Sequence, residues 1–534
     1  MRYLRRIHPL LLVVALLLAS TAPGSAAGRT PPSGKISSHV WAELQLRGDA
    51  DVLVLLEQQA DLSGAAYLTG KEAKGRYVFE RLREVAIRSQ ASLIASLQAR
   101  GVEYQPYYLV NMVRVRAGRE TLLDLAGRPE VARLEANPLV RSELLRPPTR
   151  EGASQRQPAQ AVPWGIERVH APAVWAMGIR GKNVVLAGND TGINWEHEAL
   201  KPQYRGWDGV QVQHDFNWHD AIRDRPVPYD DHGHGTLTLG TAVGDDGAGE
   251  HIGMAPGATW IGCKNMDAAG WGSPARYIEC FEFFLAPYPN GGDPVLDGNP
   301  ALAPDVVNNS WTCPTKEGCD AWTLQASVEA LRAAGIISVF AAGNYGAGGC
   351  GTVHYPPAIY DAALSVAASG STDTIAGFSS RGPVMADGSG RLKPDVAAPG
   401  VGVRSSAAGG GYGSSSGTSM ASPHVAGLAA LMLSANPLLR GEVDAVEDIL
   451  FRTADPMVAS VACGDEAPGE VPNNTWGHGI IDALPAVHQA LAWPNATPTA
   501  TPTSTPQPTP SPTATATPSR VWRVFLLLSM LGDG

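Results

Sequence analysis

The sequence predicts an α/β fold, a doubly wound, mainly parallel sheet with helices on both faces, preceded by a small α+β domain. Two patterns and the break between them support this. From residue 164 onward, continuous apolar runs at 183–187, 258–262, 305–309 and 336–340 are spaced to admit helices, one of which spans 323–334. Strands apolar on both faces and separated by helices make a parallel sheet covered on both sides. Before residue 147 the order is instead β-α-β-β-α-β, a compact α+β unit whose open sheet has a face left to pack on something else. Between the two lies a stretch at 149–162 rich in Gln, Pro and Ala, a linker or a cutting site.

The elements of the first unit follow from residue spacing. A strand runs over 51–57, and 77–100 repeats Val78, Leu82, Val85, Ile87, Leu93, Ile94 and Leu97 at helical spacing with Gly101 just past its end. Residues 107–115 alternate like a strand, 121–125 make a short helix, 131–143 are extended, and 30–48 show no regular pattern. The resulting organisation is a leader at 1–27, an α+β domain at 45–146, a joining region at 147–163, a main domain at 164–492, a spacer at 493–520 and a tail at 521–534.

The leader carries Arg2, Arg5 and Arg6, an apolar run over 10–18 and the small residues Ser25-Ala26-Ala27. That is the pattern of a secretory signal peptide, and the run is shorter than the roughly 20 residues of a membrane span. Six cysteines form an even set in an exported chain, which favours disulfides, for which six cysteines allow about 15 connectivities. Cys263 with Cys280 and Cys313 with Cys319 would close short loops, and buried free thiols are the alternative. The spacer is a Thr/Pro repeat that cannot bury a core. The apolar tail is too short to span a bilayer and is a candidate for surface attachment or simply a sticky end.

Charge divides along the same boundary. The net charge is −10, but residues 29–160 hold 19 Lys+Arg against 15 Asp+Glu, whereas 161–534 hold 19 against 36. An acidic main body excludes nucleic acid as its partner. A basic leading unit on an acidic body suits docking by charge complementarity, although solubility explains the acidity equally well.

In a parallel sheet, functional residues gather at the carboxyl ends of strands, which directs attention to Asp190, Asn309 and Asn344. Taken alone, Asp190 is a turn cap, His234 a metal ligand or helix-start residue, Asn344 a left-handed turn residue and Ser419 an N-cap before the apolar stretch 425–433. Taken together they are the parts of nucleophilic catalysis. Serine needs a histidine to remove its proton, and a carboxylate must hold that imidazole and stabilise its cation. Asn344 and the Ser419 N–H would supply the donors for the oxyanion.

Asn189-Asp190-Thr191-Gly192-Ile193, His234-Gly235-Thr236, Ala342-Gly343-Asn344 and Gly417-Thr418-Ser419-Met420-Ala421-Ser422-Pro423-His424 together resemble the subtilisin-like serine protease family, the subtilases. Trp164-Gly165-Ile166, the stretch 303–311 and the stretch 472–479 resemble its bacillopeptidase F branch, and the likeness covers about 162–491. More weakly, 51–143 resembles the family's inhibitory propeptide.

The resemblance implies a catalytic triad of Asp190, His234 and Ser419 with Asn344 in the oxyanion hole. His232 is a rival to His234, but Gly235-Thr236 follow the latter in the family's register, and Leu237 replaces a second histidine common there. Gly270-Trp271-Gly272 and Ser310-Trp311-Thr312 resemble the two edges that hold an extended substrate, a mode that recognises backbone. Trp311 either reshapes the substrate pocket or is a packing residue. The chemistry requires no cofactor. Calcium is common in the family, and the loop Asp245-Asp246-Gly247-Ala248-Gly249-Glu250 offers oxygen ligands or is a solvated acidic loop.

The implied protein is a secreted serine endopeptidase made as a self-inhibited zymogen, cut between about 146 and 163. Its partners are protein or peptide substrates and its own propeptide, with the tail a route to the cell envelope. An inactive subtilase scaffold serving as a cell-surface binding protein is the alternative suggested by the spacer and tail, and a non-peptidase hydrolase such as an esterase is a third.

Overall fold

The computed structural model describes residues 33–142 and 162–494. The leader at 1–27, most of the joining region, the spacer from residue 495 and the tail lie outside the described residues. Among the described residues no helix is long and apolar enough to cross a membrane.

The first unit comprises α1 (Ser38–Arg47), β1 (Asp49–Leu56), α2 (Lys71–Ala99), β2 (Tyr104–Tyr107), β3 (Met112–Gly118), α3 (Arg119–Ala126), β4 (Val131–Ala136) and a short β5 (Val140–Arg141). Its antiparallel sheet has the order β2-β3-β1-β4. The expected order of elements from β1 to β4 is found. The extended run anticipated at 107–115 divides at a turn over 108–111 into β2 and β3, and α1 falls in the stretch that showed no pattern. Its boundary residues explain that helix: the Ser37 hydroxyl accepts the Val40 N–H, and Gly48 closes the end at φ 83°.

The main domain follows with α4 (Trp164–Arg168), α5 (Ala171–Ala176), β6 (Val185–Asp190), β7 (Trp218–Asp220), α6 (His234–Val243), β8 (Thr259–Lys264), β9 (Trp271–Gly272) and α7 (Pro274–Leu285). Then come β10 (Val306–Asn309), α8 (Gln325–Ala333), β11 (Ile337–Ala341), β12 (Leu364–Ser369), β13 (Val396–Pro399), a hairpin of β14 (Val403–Ser406) and β15 (Tyr412–Ser415), α9 (Thr418–Ala435), α10 (Val443–Thr453) and α11 (Ala483–Ala492). Seven parallel strands form the sheet β13-β12-β11-β10-β6-β8-β7. The order reverses at β6, so the carboxyl end of β6 is the topological switch point where α/β sheets bind ligands.

Successive residues along the strands enter two different cores, which is why these runs are apolar without interruption. Leu186, Trp260, Val306 and Val339 pack with α6 and α9, while Ala187, Ile261, Val307 and Phe340 pack with α7 and α8. Every residue of α9 from Thr418 to Leu433 is buried, so this helix is apolar all round. Three disulfides join Cys263 to Cys280, Cys313 to Cys319 and Cys350 to Cys463, leaving no free cysteine.

The first unit does not have a core entirely its own. On β1, Val52, Val54 and Leu56 face the unit's helices, whereas Leu53 joins the cluster containing Tyr277, Phe281 and Phe284 of α7. Likewise α2 is divided: Val78, Phe79 and Leu82 pack with the main domain, and Leu93 and Leu97 with the unit's own sheet. Polar contacts follow the charge division. Lys71 Nζ lies 3.0 Å from Asp305 Oδ1, and Lys74 Nζ lies 3.1 Å from Glu442 Oε2. Glu282 of α7 is fully buried and accepts the Tyr108 and Leu109 N–H groups.

Two measurements test this docking. Removing one partner of a buried ion pair strands the other, so Lys71→Ala is expected to cost about 3 kcal/mol in urea unfolding of the full-length chain. The exposed pair Arg76–Glu72, with side chains 62% and 73% exposed, serves as control. Arg76→Ala should change stability by no more than about 0.5 kcal/mol. The second test concerns Glu282, whose carboxyl burial pushes up from 4.5 to about 8. The docked state therefore holds this proton more tightly than the undocked state. Its share of stability is fully present below about pH 4.5 and is lost as pH rises through about 8. The thermal midpoint should accordingly fall from about pH 7 to about pH 9, and Glu282→Gln should flatten that fall.

Candidate active site

Asp190 ends β6 and His234 begins α6, and the two meet because the next residue has no side chain. A Cβ on Gly235 would stand 2.1 Å from the Gly192 carbonyl oxygen and 3.0 Å from Asp190 Cβ. With that approach allowed, His234 Nδ1 lies 2.8 and 3.0 Å from the two Asp190 carboxylate oxygens, both side chains being 3% exposed. The other ring nitrogen, Nε2, has no hydrogen-bond partner among the described residues. His232 is partly exposed, 6.2 Å away ring to ring, and burial beside His234 pushes its imidazole below the ordinary range. His234, not His232, therefore holds the Asp190 contact.

The loop before α6 is shaped by Asp230, which sequence reasoning did not single out. Its carboxylate accepts the N–H groups of His232, Gly233 and Thr236 and the hydroxyls of Thr191 and Thr236. An acid just ahead of a helix start is the signal that would have found it. One turn into α6, Leu237 packs against Met420 and Val403, joining the starts of α6 and α9.

Ser419 lies inside the first turn of α9 and does not cap it. Its Oγ donates to the Ser310 carbonyl at 3.0 Å. Pro423 has no N–H to give the Ser419 carbonyl, and the Ser310 hydroxyl supplies the missing donor at 3.1 Å. Ser310 therefore secures the nucleophile candidate from both sides. Asn344 follows β11, with Gly343 rather than Asn344 taking the positive φ of 105°. Asn344 Oδ1 accepts both the Thr418 N–H and the Thr418 hydroxyl, each at 3.0 Å, and that hydroxyl accepts the Gly343 N–H at 3.2 Å. With the oxygen committed, the Asn344 NH₂ is the end left to donate. Asn344, Thr418 and Ser419 all line one pocket.

Residues 140–142 enter the same pocket. Val140 and Arg141 pair antiparallel with Gly272 and Trp271, and the Ser142 N–H donates to the Gly270 carbonyl at 3.0 Å. The Ser142 hydroxyl reaches the Thr312 carbonyl at 3.4 Å, so both edges, 270–272 and 310–312, contact this strand. Trp311 turns inward: its indole N–H donates to the Asn189 carbonyl at 2.9 Å, and its ring stacks on Tyr277 at 4.1 Å.

Other singled-out residues lie elsewhere. Asn309 belongs to a buried amide ladder in which it accepts from Asn189, and Asn189 accepts from Asn265. His424 is buried in α9 with Nδ1 on the Met420 carbonyl, and burial pushes its imidazole down to about 4, which keeps it neutral. The acidic loop at 245–250 does not fit a calcium ion. Asp245 pairs with Arg180 and His251, Glu250 pairs with Arg404, Asp246 accepts backbone N–H groups, and no metal-holding cluster occurs among the described residues.

A family model described as the subtilase family matches residues 181–479. Bacillopeptidase F of Bacillus subtilis (strain 168) is 34% identical over 519 residues, which is 89% of this chain and 34% of that protein. Subtilisin E of the same organism is 30% identical over 405 residues, 75% of this chain and 90% of that protein. Subtilisin of Bacillus pumilus is 35% identical over 281 residues, 52% of this chain and 87% of that protein. The chain thus spans about a third of bacillopeptidase F, at 34%, and most of subtilisin E. With the parallel sheet, its switch point at Asp190 and these matches, the chain belongs to the subtilase family, the serine endopeptidases of the subtilisin type.

Proposed function

We propose that this chain is a secreted serine endopeptidase that cleaves peptide bonds in proteins through an acyl-enzyme and is made as a self-inhibited zymogen. The observation that carries the reading is the buried Asp190–His234 contact, with His234 Nε2 unengaged, on a helix packed against the one that presents Ser419. Ser419 Oγ leaves the Ser310 carbonyl and attacks the peptide carbonyl while His234 Nε2 takes its proton. Asp190 holds the Nδ1 proton and stabilises the imidazolium. The oxyanion receives hydrogen bonds from the Asn344 NH₂ and the Ser419 N–H. Collapse expels the amine, protonated by His234, and a water activated by the same nitrogen releases the acid.

The zymogen reading rests on residues 140–142, which pair with the edge that a substrate strand would use. The export reading rests on the leader at 1–27. Docking of a basic unit on an acidic body, through Lys71 and Lys74, is consistent with a segment that holds the site closed until cut.

A casein assay combined with a serine-directed fluorophosphonate tests the proposal. Processed protein should be labelled and active, and labelling with neither activity nor loss in Ser419→Ala would sink it. Ser419→Ala is also expected to leave the precursor uncut. Asn344→Ala should lower kcat by about 100-fold, the loss of one oxyanion donor. Thr418→Val keeps the N–H but loses the hydroxyl that fixes Asn344 Oδ1. It should lower kcat by about tenfold with KM unchanged, because the lost contact acts only on the developing charge.

A further inference from the structure

We propose that Glu317 and Trp271 form a subsite for a basic side chain, arginine or lysine, on the substrate residue that takes the place of Arg141. The proposal rests on the endopeptidase reading above and adds a preference that Asp190, His234, Asn344 and Ser419 do not carry.

Side chains alternate along a strand, and in an antiparallel pair so do the directions of the N–H groups. Val140 is fully buried and Ser142 turns into the pocket beside Ser419, so the Arg141 side chain between them points outward and is exposed. The Ser142 N–H donates to the Gly270 carbonyl of one edge at 3.0 Å, which turns the Arg141 N–H toward the other edge. What meets it there is a carboxylate: Glu317 Oε2 accepts the Arg141 N–H at 2.6 Å. A carboxylate in that place makes a charge-assisted hydrogen bond, and it sets a full negative charge beside the backbone of this one residue. Proline, which has no N–H, cannot satisfy it.

Glu317 is held in position by its loop. It ends the short turn Thr315–Glu317, between Cys313 and Cys319, whose disulfide closes the loop directly after the edge 310–312. Gly318 takes a φ of 103°, and a Cβ there would stand 3.0 Å from Pro138, so the loop lies close against the incoming chain.

The second half of the subsite comes from the opposite edge. The Arg141 guanidinium carbon lies 5.9 Å from the centre of the Trp271 ring, within the range of a cation–π contact. Trp271 is fixed by Asp267, whose Oδ1 accepts the Trp271 N–H at 3.0 Å and the Ala269 N–H at 2.8 Å. The Asp267 N–H in turn donates to the Trp271 carbonyl at 2.9 Å. An outward side chain at this position therefore meets an indole face, with Asp267 behind that edge and Glu317 on the other. A cation gains from all three groups, whereas a carboxylate meets two like charges. Because the position is exposed, the preference is graded and not absolute. Neither Glu317 nor Trp271 touches the reacting atoms, so both act as specificity residues through binding.

The test uses processed protein from the full-length chain and a peptide library of mixed sequence, with every cut read by mass spectrometry. Wild type is expected to show Arg and Lys enriched about fivefold over Asp and Glu, and proline missing, at one position on the acyl side of the cut. Glu317→Gln keeps an oxygen for the N–H and removes the charge, so it should lower the enrichment to about twofold and leave proline excluded. Trp271→Leu should lower it to a similar extent, and Glu317→Lys should bring the ratio to about one or below. Each readout is a ratio among cuts made by one sample, so a partial loss of folded protein does not move it. No basic enrichment in wild type, acceptance of proline at that position, or an enrichment unmoved by both Glu317 variants would each overturn the subsite. A library that is cut without the preference removes the subsite alone; a library left intact, with Ser419 unlabelled by the fluorophosphonate, removes the endopeptidase reading and the subsite with it.

Discussion

The candidate active site depends on one close approach, that of the first turn of α6 to the end of β6. Gly235 has no Cβ to strike the Gly192 carbonyl, so His234 reaches the Asp190 carboxylate inside a water-poor space. Every residue of α6 is buried as a result, and the helix can lie against α9, itself buried all round. Side chains in such close-packed surroundings hold one position, which is what a constellation drawn from four separate elements requires. Ser310, Thr418 and Asp230 complete the frame. None of them needs to move a proton, and each fixes a neighbouring group by satisfying a backbone atom that the local geometry leaves unpaired.

Charge is organised on a larger scale around the same face. The acidic main body meets the first unit through Asp305, Glu442 and Glu282, carboxylates that lie well away from the pocket and take cations or N–H groups from residues 71–109.

Much of this was legible in the sequence, for stated physical reasons. Strands buried on both faces leave apolar runs, and those at 183–187, 258–262, 305–309 and 336–340 fall within three residues of strand ends in the structure, counting β6 (Val185–Asp190) as the largest shift. The residues Asp190, His234, Asn344 and Ser419 were visible because each sits where a regular element begins or ends. Other features were not visible because they depend on contacts remote in sequence. The 108–111 turn interrupts an alternating run without Gly or Pro, and the Tyr108 and Leu109 N–H groups are answered by the Glu282 carboxylate from α7. The Ser310 hydroxyl acquires its task only from a proline more than a hundred residues away, at position 423. The helix α1 was missed although its cap residues Ser37 and Gly48 stand in the sequence, because only Val40 and Leu44 are buried along it.

The two faces of β1 have a bearing on how the first unit and the main domain can change over time. Val52 and Val54 hold the leading unit together, and Leu53, one residue between them, holds it to its host. Because neighbouring strand positions point to opposite sides, substitutions at 53 act first on the hold to the main domain, and those at 52 or 54 act first on the packing of the unit itself. Adherence to the main domain and internal packing are thereby written on alternate letters of one short segment.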